Sequence, residues 1–240
     1  FETVLSSKRK VSWIWVDFFN NFPLNLKNIN SLKNTKLKIC LVSPELHKHR
    51  NPSDIKIIYK ILKKKNKKVF ITREPGGTIL AEKIRNLIIN SNCTPLTELM
   101  LFYAARYDHF KKINYYLKKK YIVLCDRYIH STYAYQHHEQ KIDRKLINFL
   151  QNIIGKNSYP DLTFLIDLPT VLAKKRIKLR RKNKDKFDNY DLKKLNIIRK
   201  AFLKEKKKDK KIFLINGALS KNQVTNQITK ILIKKKILNG

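Results

Sequence analysis

Five short apolar runs are spaced along the chain, and a longer stretch with a helical pattern separates each run from the next. The runs are rich in β-branched and aromatic residues, which is typical of strands covered on both faces. Regular alternation of strand and helix predicts an α/β fold in which a five-stranded parallel sheet has helices on both faces. We expect the strands near residues 37–42, 69–72, 121–125, 162–166 and 211–215.

The segments between these runs repeat apolar residues every three or four positions, as amphipathic helices do. The first predicted helix begins near Asn51 and has a buried stripe of Ile55, Ile58, Ile61 and Leu62. The second spans residues 78–90, with a predicted core stripe of Leu80, Ile84, Leu87 and Ile88. A longer third helix is expected over residues 94–112, because a threonine followed by a proline is a common helix start.

The chain carries 54 basic and 18 acidic residues, a net charge of +36 at pH 7. This excess is typical of proteins that bind polyanions, so a basic nucleic-acid-binding protein is one hypothesis. However, lysine outnumbers arginine by 43 to 11 and is spread along the whole chain. A nucleic-acid surface would concentrate arginine and aromatic residues on one element. We therefore expect mostly solvated lysines and no nucleic-acid partner.

The three cysteines, Cys40, Cys93 and Cys125, lack the spacing of a metal site. We interpret them as small apolar residues in a reducing compartment. No apolar run reaches ~18 residues and no cleavable signal is visible, so we expect a cytoplasmic protein without a membrane partner. Residues 1–36 contain no usable motif; we interpret them as an extension, or as material fused from a neighbouring reading frame, before one domain at residues 37–240.

Charged and polar side chains follow the third predicted strand. Asp126 and Arg127 come directly after it, at the strand end that faces the ligand crevice in open α/β sheets. A salt bridge that closes the strand is one interpretation of this pair. The residues that follow favour a binding site for a polar ring-shaped ligand, because they supply hydroxyls, rings and an amide: Ser131, Thr132, Tyr133, Tyr135 and Gln136.

A second polar segment, TREPGGT, follows the second predicted strand at Thr72–Thr78. Pro75 restricts φ and the next two glycines permit left-handed geometry, so the segment predicts a tight turn with Thr78 as the N-cap of a helix. Arg73 suggests more than a turn. In a chain so rich in lysine, an arginine at a strand end indicates a need for the planar group that binds phosphate in two places.

Four motifs together resemble the thymidylate kinase family, from about Val69 to the C-terminus. They are TREPGGT, LMLFYAARYDH at Leu99–His109, CDRYIHSTYAYQ at Cys125–Gln136 and PDLTFLIDLP at Pro160–Pro169. The resemblance implies a P-loop NTPase-like three-layer fold and transfer of the γ-phosphoryl group of ATP to dTMP. It also implies Mg²⁺ bound with ATP, a basic lid and a homodimer.

The same resemblance implies roles for individual residues. Phe102 would stack on thymine, while Arg106, Thr132 and Gln136 would bond the edge of the base. Tyr135 would lie by the sugar. The remaining substrate contacts would come from Glu74, Pro75 and Ser131. The catalytic residues would be Arg127 at the dTMP phosphate, Asp126 in the magnesium region and Arg73, and the lid residues would be Arg176, Arg180, Arg181 and Lys186.

One part of the family pattern is absent from the sequence. After the first strand the family has a glycine-rich loop that ends in Gly-Lys-Ser or Gly-Lys-Thr, but this chain reads SPELHKHRNPSD at Ser43–Asp54 and its first glycine is Gly76. A phosphate cradle needs glycines because its N–H groups converge through left-handed conformations that side chains penalise. Lys48, Arg50 and Ser53 remain as candidates for phosphate contacts.

Three hypotheses therefore follow from the sequence. The chain is an active thymidylate kinase whose first strand and loop have been rebuilt, a relative that binds dTMP but cannot hold ATP, or a basic nucleic-acid-binding protein on an inherited scaffold. Because the phosphate loop is lost, we expect a slow rate of transfer or none. The first two share an acceptor site and differ in phosphoryl transfer, whereas the third predicts salt-dependent binding to nucleic acid.

Overall fold

The computed structural model describes residues 37–42, 53–155, 158–179 and 190–238. The predicted extension at residues 1–36 lies outside them, as does most of the segment where the glycine-rich loop would be expected.

The described residues form one parallel sheet, and each predicted strand agrees with an observed one to within one residue at both ends. The strands are β1 (Lys38–Val42), β2 (Val69–Arg73), β3 (Ile122–Asp126), β4 (Leu162–Asp167) and β5 (Ile212–Asn216). Their order across the sheet is β2-β3-β1-β4-β5, and every neighbouring pair is parallel. The carboxyl ends of all the strands therefore meet at one edge of the sheet.

Helices cover both faces of this sheet, as the alternating pattern predicts. They are α1 (Ser53–Lys64), α2 (Ile79–Asn90), α3 (Pro95–Lys118), α4 (Ile129–Thr132), α5 (Arg144–Ile154), α6 (Thr170–Leu179), α7 (Leu192–Lys208) and α8 (Lys221–Lys234), with a π-helix over Tyr133–Glu139. Consecutive parallel strands require such crossovers, because a short turn cannot return the chain to the same end of the sheet.

Two apolar cores result, one on each face of the sheet. Residues of α1 and α8 pack with Ile39 and Leu124 on one face. The other face packs Cys40 and Val123 against α3, α5, α7 and the π-helix. Neighbouring positions such as 39 and 40 enter different cores because successive side chains of a strand point to opposite faces.

The predicted core stripe of α2 is wrong at two positions. Leu80 and Leu87 are 52% and 50% exposed, and the buried residues are Ala81, Arg85 and Ile88. Arg85 lies inward because its Nη1 donates a hydrogen bond to the Pro75 carbonyl, at 3.2 Å. The helix is therefore turned so that an arginine supports the turn after β2, and its leucines face outward.

The third helix is longer than predicted and ends at Lys118. Ile113 and Leu117 continue its buried stripe, whereas Lys111 and Lys112 are exposed. Two adjacent lysines in the sequence therefore mark the solvent side of the helix and not its end.

Two further observations concern cysteines and hydropathy. All three cysteines are free thiols; Cys40 and Cys125 are buried, which confirms their interpretation as apolar strand residues, whereas Cys93 is only partly buried. Within the described parts of the chain, no helix combines the length and apolar character needed to cross a bilayer.

Candidate functional site

The turn after β2 is held against α3. Gly77 has φ +89°, and a Cβ there would collide with the His109 ring. Glycine is needed at this position because it alone adopts positive φ without penalty and adds no side-chain atom. Thr78 is the predicted N-cap, and its hydroxyl accepts a hydrogen bond from the amide of Ala81. The turn therefore approaches α3 closely enough for side chains of the two segments to bond.

A buried ion pair joins this turn to α3. Arg106 Nε donates to Glu74 Oε2 at 2.7 Å, and both side chains are nearly inaccessible to solvent. Burial lowers the pKa of Arg106, but attraction to Glu74, together with smaller contributions from Tyr103 and Tyr128, holds the pKa above its ordinary value. The guanidinium is therefore a permanent positive charge inside the protein.

His109, on α3, contacts the same carboxylate of Glu74. Its Nδ1 lies 3.3 Å from Glu74 Oε1, and its Nε2 lies 2.5 Å from Thr72 Oγ1. A carboxylate only accepts hydrogen bonds, so Nδ1 donates to Glu74 and, in the neutral ring, Nε2 accepts from the threonine hydroxyl. This relay fixes the orientation of Glu74 and, through it, that of Arg106.

The other nitrogens of Arg106 are also positioned. Nη1 donates to Gln151 Oε1 at 3.2 Å and Nη2 donates to Thr132 Oγ1 at 3.0 Å. The guanidinium carbon also lies 4.8 Å from the ring centroids of Tyr103 and Tyr128, which stack against it. Arg106 is thus held from several directions by α3, α4 and α5.

The segment after β3 is tied to the turn after β2. Glu74 N donates to the carbonyl of Asp126 at 2.9 Å. Arg127 follows in a left-handed conformation, with φ +64°, and its guanidinium carbon lies 5.3 Å from the ring centroid of Tyr135. A positive φ is uncommon for a residue with a side chain.

These elements enclose what we call the inner pocket. It brings together all nine residues predicted to contact dTMP, with Tyr128 in addition: Glu74, Pro75, Phe102, Arg106, Arg127, Tyr128, Ser131, Thr132, Tyr135 and Gln136. Their roles in binding remain predictions. The cavity volume is ≈ 20 Å³, which is room for about one water molecule.

A larger space, the outer cleft, adjoins the inner pocket. It has a volume of ≈ 580 Å³ and shares Glu74 and Arg127 with the inner pocket. Its lining carries three acidic residues, Glu74, Glu82 and Asp126, and five basic residues: Lys56, Arg73, Arg85, Lys112 and Arg127. The cleft is therefore rich in positive charge and suited to anionic groups.

Arg73, the third predicted catalytic residue, lies at the surface of the outer cleft. Its Nε and Nη2 donate to the two carboxylate oxygens of Glu82, at 3.2 and 2.8 Å. Burial raises the pKa of Glu82, but the bonds from Arg73 and from the amide of Gly77 outweigh burial and lower it. Arg73 is 54% exposed, so water screens this ion pair.

Of the predicted lid and loop residues, only Arg176 has a described side chain, and it lines neither the inner pocket nor the outer cleft. Arg176 Nη1 donates to the carbonyl of Gly217 at 3.2 Å. Ser53 opens α1, but its side chain is not among those described. The remaining predicted residues lie outside the described ranges: Lys48, Arg50, Arg180, Arg181 and Lys186.

Sequence reasoning missed Glu98, His109, Gln151 and Tyr128. The helical spacing contained a signal for the first two. Glu98, Phe102, Arg106 and His109 are separated by four, four and three positions, which places them on one face of α3. Gln151 lies on α5 and meets Arg106 only through the tertiary fold, so spacing could not have revealed it.

The fold and the pockets define a class of protein. A parallel sheet in this order, with helices on both faces and polar pockets at the carboxyl ends of its strands, is a P-loop NTPase-like kinase fold. A family model described as thymidylate kinase matches residues 53–228. The chain therefore belongs to the thymidylate kinase family of phosphotransferases, which are nucleoside monophosphate kinases.

Individual relatives agree with this assignment. The thymidylate kinase of Thermosipho africanus is 36% identical over 185 residues, covering 76% of this chain and 91% of the relative. That of Mesoplasma florum is 38% identical over 175 residues, covering 71% and 83%. The crystal structure of thymidylate kinase from Ehrlichia chaffeensis superposes with a TM-score of 0.64 and 30% identity, covering 82% of this chain and 98% of that one.

Proposed function

We infer that this chain binds dTMP with its base in the inner pocket. The carrying observation is the buried Arg106, whose charge is held in place by Glu74. Three of its five N–H groups bond Glu74, Gln151 and Thr132, which fixes the guanidinium at the lining of the inner pocket, where it can donate to a ligand. A thymine carbonyl accepts such bonds, and Phe102 offers a ring for stacking.

The phosphate of dTMP then lies toward the outer cleft. Arg127 lines both spaces and binds that phosphate, and Arg73 reaches it once its exposed pair with Glu82 is exchanged. The dTMP phosphate oxygen attacks the γ-phosphorus of ATP in line, which requires positioning and charge neutralisation more than a general base.

Asp126 fits a magnesium site at this cleft. Mg²⁺ is bound in kinases by one or two carboxylates together with phosphates and water, and Asp126 supplies a carboxylate that lines the cleft. Asp167, at the end of β4, accepts hydrogen bonds from both Nε and Nη2 of Arg199, at 2.7 and 2.8 Å. Because Arg199 already neutralises Asp167, we assign the ion to Asp126. The ion would supply neutralisation of charge on the transferred phosphoryl group.

Phosphoryl transfer is slow in this proposal. Residues 43–52 contain no glycine, so this segment lacks the residues that let backbone N–H groups converge on the phosphates of ATP. The same observation favours the second candidate function, a relative that binds dTMP without phosphorylating it. The two differ only in whether dTDP is formed.

Conversion of dTMP to dTDP by the purified chain with Mg·ATP, followed by chromatography, tests the transfer. We expect turnover well below the roughly 1–100 s⁻¹ of ordinary kinases. Turnover within that range would contradict the proposed loss of the phosphate loop. Absence of product with dTMP still bound would leave the binding function and exclude the kinase function.

Binding is tested separately by calorimetric titration with dTMP. We expect saturable binding that Arg127→Ala weakens at least about tenfold, since a charge-assisted bond to phosphate is lost. Lys230→Ala is the matched control, because it removes one positive charge from the exposed side of α8, which packs on the other face of the sheet. Binding of DNA with strong salt dependence and no effect of dTMP would support the nucleic-acid hypothesis instead.

We further propose that the chain forms a homodimer through α2 and α3. These two helices pack together and carry exposed apolar residues: Leu80, Leu87, Leu96, Met100 and Tyr107. An exposed apolar surface of this kind is typical of interfaces. Sedimentation should give a dimer that Leu87→Glu converts to monomer, while Lys230→Glu does not. A monomeric wild type would exclude the proposal.

We also propose a domain division and a cellular location for this chain. Residues 1–36 are an extension that precedes one kinase domain at residues 37–240. A cytoplasmic location is supported by three free cysteines, which suit a reducing compartment.

A further inference from the structure

Glu98 is a buried carboxylate close to the inner pocket. It lies in the first turn of α3 and is only 3% exposed. Its Oε1 accepts two hydrogen bonds, from Gln136 Nε2 at 3.0 Å and from Gln140 Nε2 at 2.8 Å. Two amide side chains are thus turned toward one carboxylate, and one of them, Gln136, lines the inner pocket.

The carboxylate determines which way the Gln136 amide faces. A carboxylate accepts hydrogen bonds and cannot donate them, whereas an amide has an NH₂ group at one end and a carbonyl at the other. Reversal of the amide would place Oε1 against the carboxylate, where two acceptors repel. Gln136 Nε2 is therefore bonded to Glu98, and Gln136 Oε1 is the atom that can accept a hydrogen bond from a ligand.

The backbone around Gln136 is also held. Gln136 belongs to the π-helix, and its carbonyl accepts the amide of Ile142 at 2.9 Å. Gln140 is the C-cap of the same helix, and its backbone N–H donates to the Tyr135 carbonyl at 2.9 Å. The backbone of both glutamines is therefore held in place, and both side chains extend toward Glu98. Rotation of the whole Gln136 side chain is thus no easy alternative to reversal of its amide group.

We propose that Glu98 is a positioning residue that makes the inner pocket select pyrimidine rings with a hydrogen on N3, thymine and uracil, over cytosine. The proposal rests on the function inferred above, in which this pocket holds the base. Thymine and uracil present an N3–H donor beside the O4 acceptor, and these match Gln136 Oε1 and the N–H groups of Arg106. Cytosine presents an N3 acceptor beside an amino group, so both contacts are repulsive.

Glu98→Gln is the variant that tests this idea, because it keeps the shape of the side chain and adds a donor. With a glutamine at position 98, the Gln136 amide can reverse and offer Nε2 to cytosine N3. We expect the ratio of dTMP affinity to dCMP affinity to fall about tenfold or more, the effect of removing one repulsive contact. Calorimetric titration of both nucleotides measures the ratio.

Three comparisons separate orientation of the amide from a general structural effect. The ratio of dTMP to dUMP affinity should stay unchanged in Glu98→Gln, because both bases carry N3–H. Glu98→Asp keeps a carboxylate and should keep the preference for dTMP over dCMP. Glu82→Gln, which changes an acid on α2 that is bonded to Arg73, should leave the dTMP to dCMP ratio unchanged.

A measurement on the wild-type protein tests the idea without any variant. The N3-methyl derivative of dTMP lacks the donor, and we expect it to bind at least about tenfold more weakly than dTMP. Equal affinity for dTMP and its N3-methyl derivative would overturn the inference, as would an unchanged dTMP to dCMP ratio in folded Glu98→Gln. Failure of the wild type to bind dTMP at all would instead overturn the proposed function on which the inference rests.

Discussion

The inner pocket and the segment between β1 and α1 differ in the kind of chemistry each would need. The inner pocket is lined by side chains, with Arg106, Glu74 and Gln136 held by ion pairs and hydrogen bonds. A donor-phosphate cradle is instead built from backbone N–H groups, which require glycines at fixed positions. The chain has Gly76 and Gly77 at the turn after β2 and none in residues 43–52.

This difference separates recognition of the acceptor from the rate of transfer. Among the described residues, the side-chain contacts at the inner pocket join the turn after β2 to α3, α4 and α5, so a chain can retain the acceptor site while losing the donor site. Family membership therefore supports the identity of the acceptor more strongly than it supports a normal turnover. Experiments that alter one region at a time can test whether acceptor binding and the rate of transfer are independent.

The largest effect is expected from restoring a donor cradle. Replacing residues 44–51 with a Gly-x-x-x-x-Gly-Lys-Ser loop should raise dTDP formation by about 10³-fold or more, since each oriented donor to a transition-state oxygen contributes roughly 10²–10³-fold. The dTMP affinity should stay the same. The control graft carries alanine in place of the loop lysine. An unchanged rate would mean that the original segment does not limit transfer.

Breaking the ion pair of the inner pocket should be the next largest effect. Glu74→Gln leaves the Arg106 charge buried without its partner, which should lower the free energy of unfolding by about 3 kcal/mol. Urea denaturation measures it. Glu82→Gln is the matched control, because its partner Arg73 is exposed and the expected loss is below about 1 kcal/mol. Equal losses in the two variants would refute the distinction.

Gly77→Ala should destabilise the turn by about 2 kcal/mol, because an unfavourable φ and a collision with His109 add together. Gly155→Ala separates these two causes. Gly155 also has positive φ, +126°, but an added Cβ would meet only Phe110, at 4.0 Å. Its φ of +126° with ψ of 142° is a conformation that side chains rarely adopt, so the expected cost is at least about 1 kcal/mol from the backbone alone. Thermal denaturation of both variants provides the comparison.

The smallest effect concerns pH. Burial lowers the pKa of His130 to about 4, although Glu205 opposes this shift and Arg106 and Arg144 reinforce it. The unfolded chain therefore binds a proton below pH 6.5 that the folded chain does not, and stability contributed by neutral His130 is lost as pH falls toward 4. Between pH 7 and 5.5 this loss should be about 1 kcal/mol.

Asp209 changes stability in the opposite direction over this range. Burial raises its pKa to about 6, so the folded chain binds the extra proton and gains stability as pH falls. The measurement is therefore a difference between wild type and His130→Asn, with urea denaturation of both at pH 7 and 5.5. The variant should lose less stability than the wild type on acidification. Identical pH dependences would show that His130 does not contribute.

Much of the fold was predictable because it depends on local pattern. Apolar runs located each strand to within one residue, since a strand buried on both faces has few alternatives. The helix stripes were less certain. Leu80 and Leu87 repeat at helical spacing and yet face outward, because the turn after β2 requires Arg85 on the inner side of α2.

The inner pocket was predictable only in part. Its nine predicted residues came from motif resemblance, and they do lie together. The π-helix was missed, since apolar and polar spacing does not distinguish one widened turn from ordinary α-helix. The π-helix brings Gln136 and Gln140 to Glu98, which lies 38 and 42 positions away along the chain. Because the π-helix could not be predicted, the sequence contains no signal for these contacts.

The sequence by itself determined the order of strands and helices, the family and the absence of glycines after β1. These properties depend on residue type and on near neighbours along the chain. The tertiary structure alone decided which polar groups are buried together: Arg106 with Glu74, and Glu98 with two glutamines. The physical reason is that a buried polar group must find a partner across space, and sequence spacing does not specify partners on different elements.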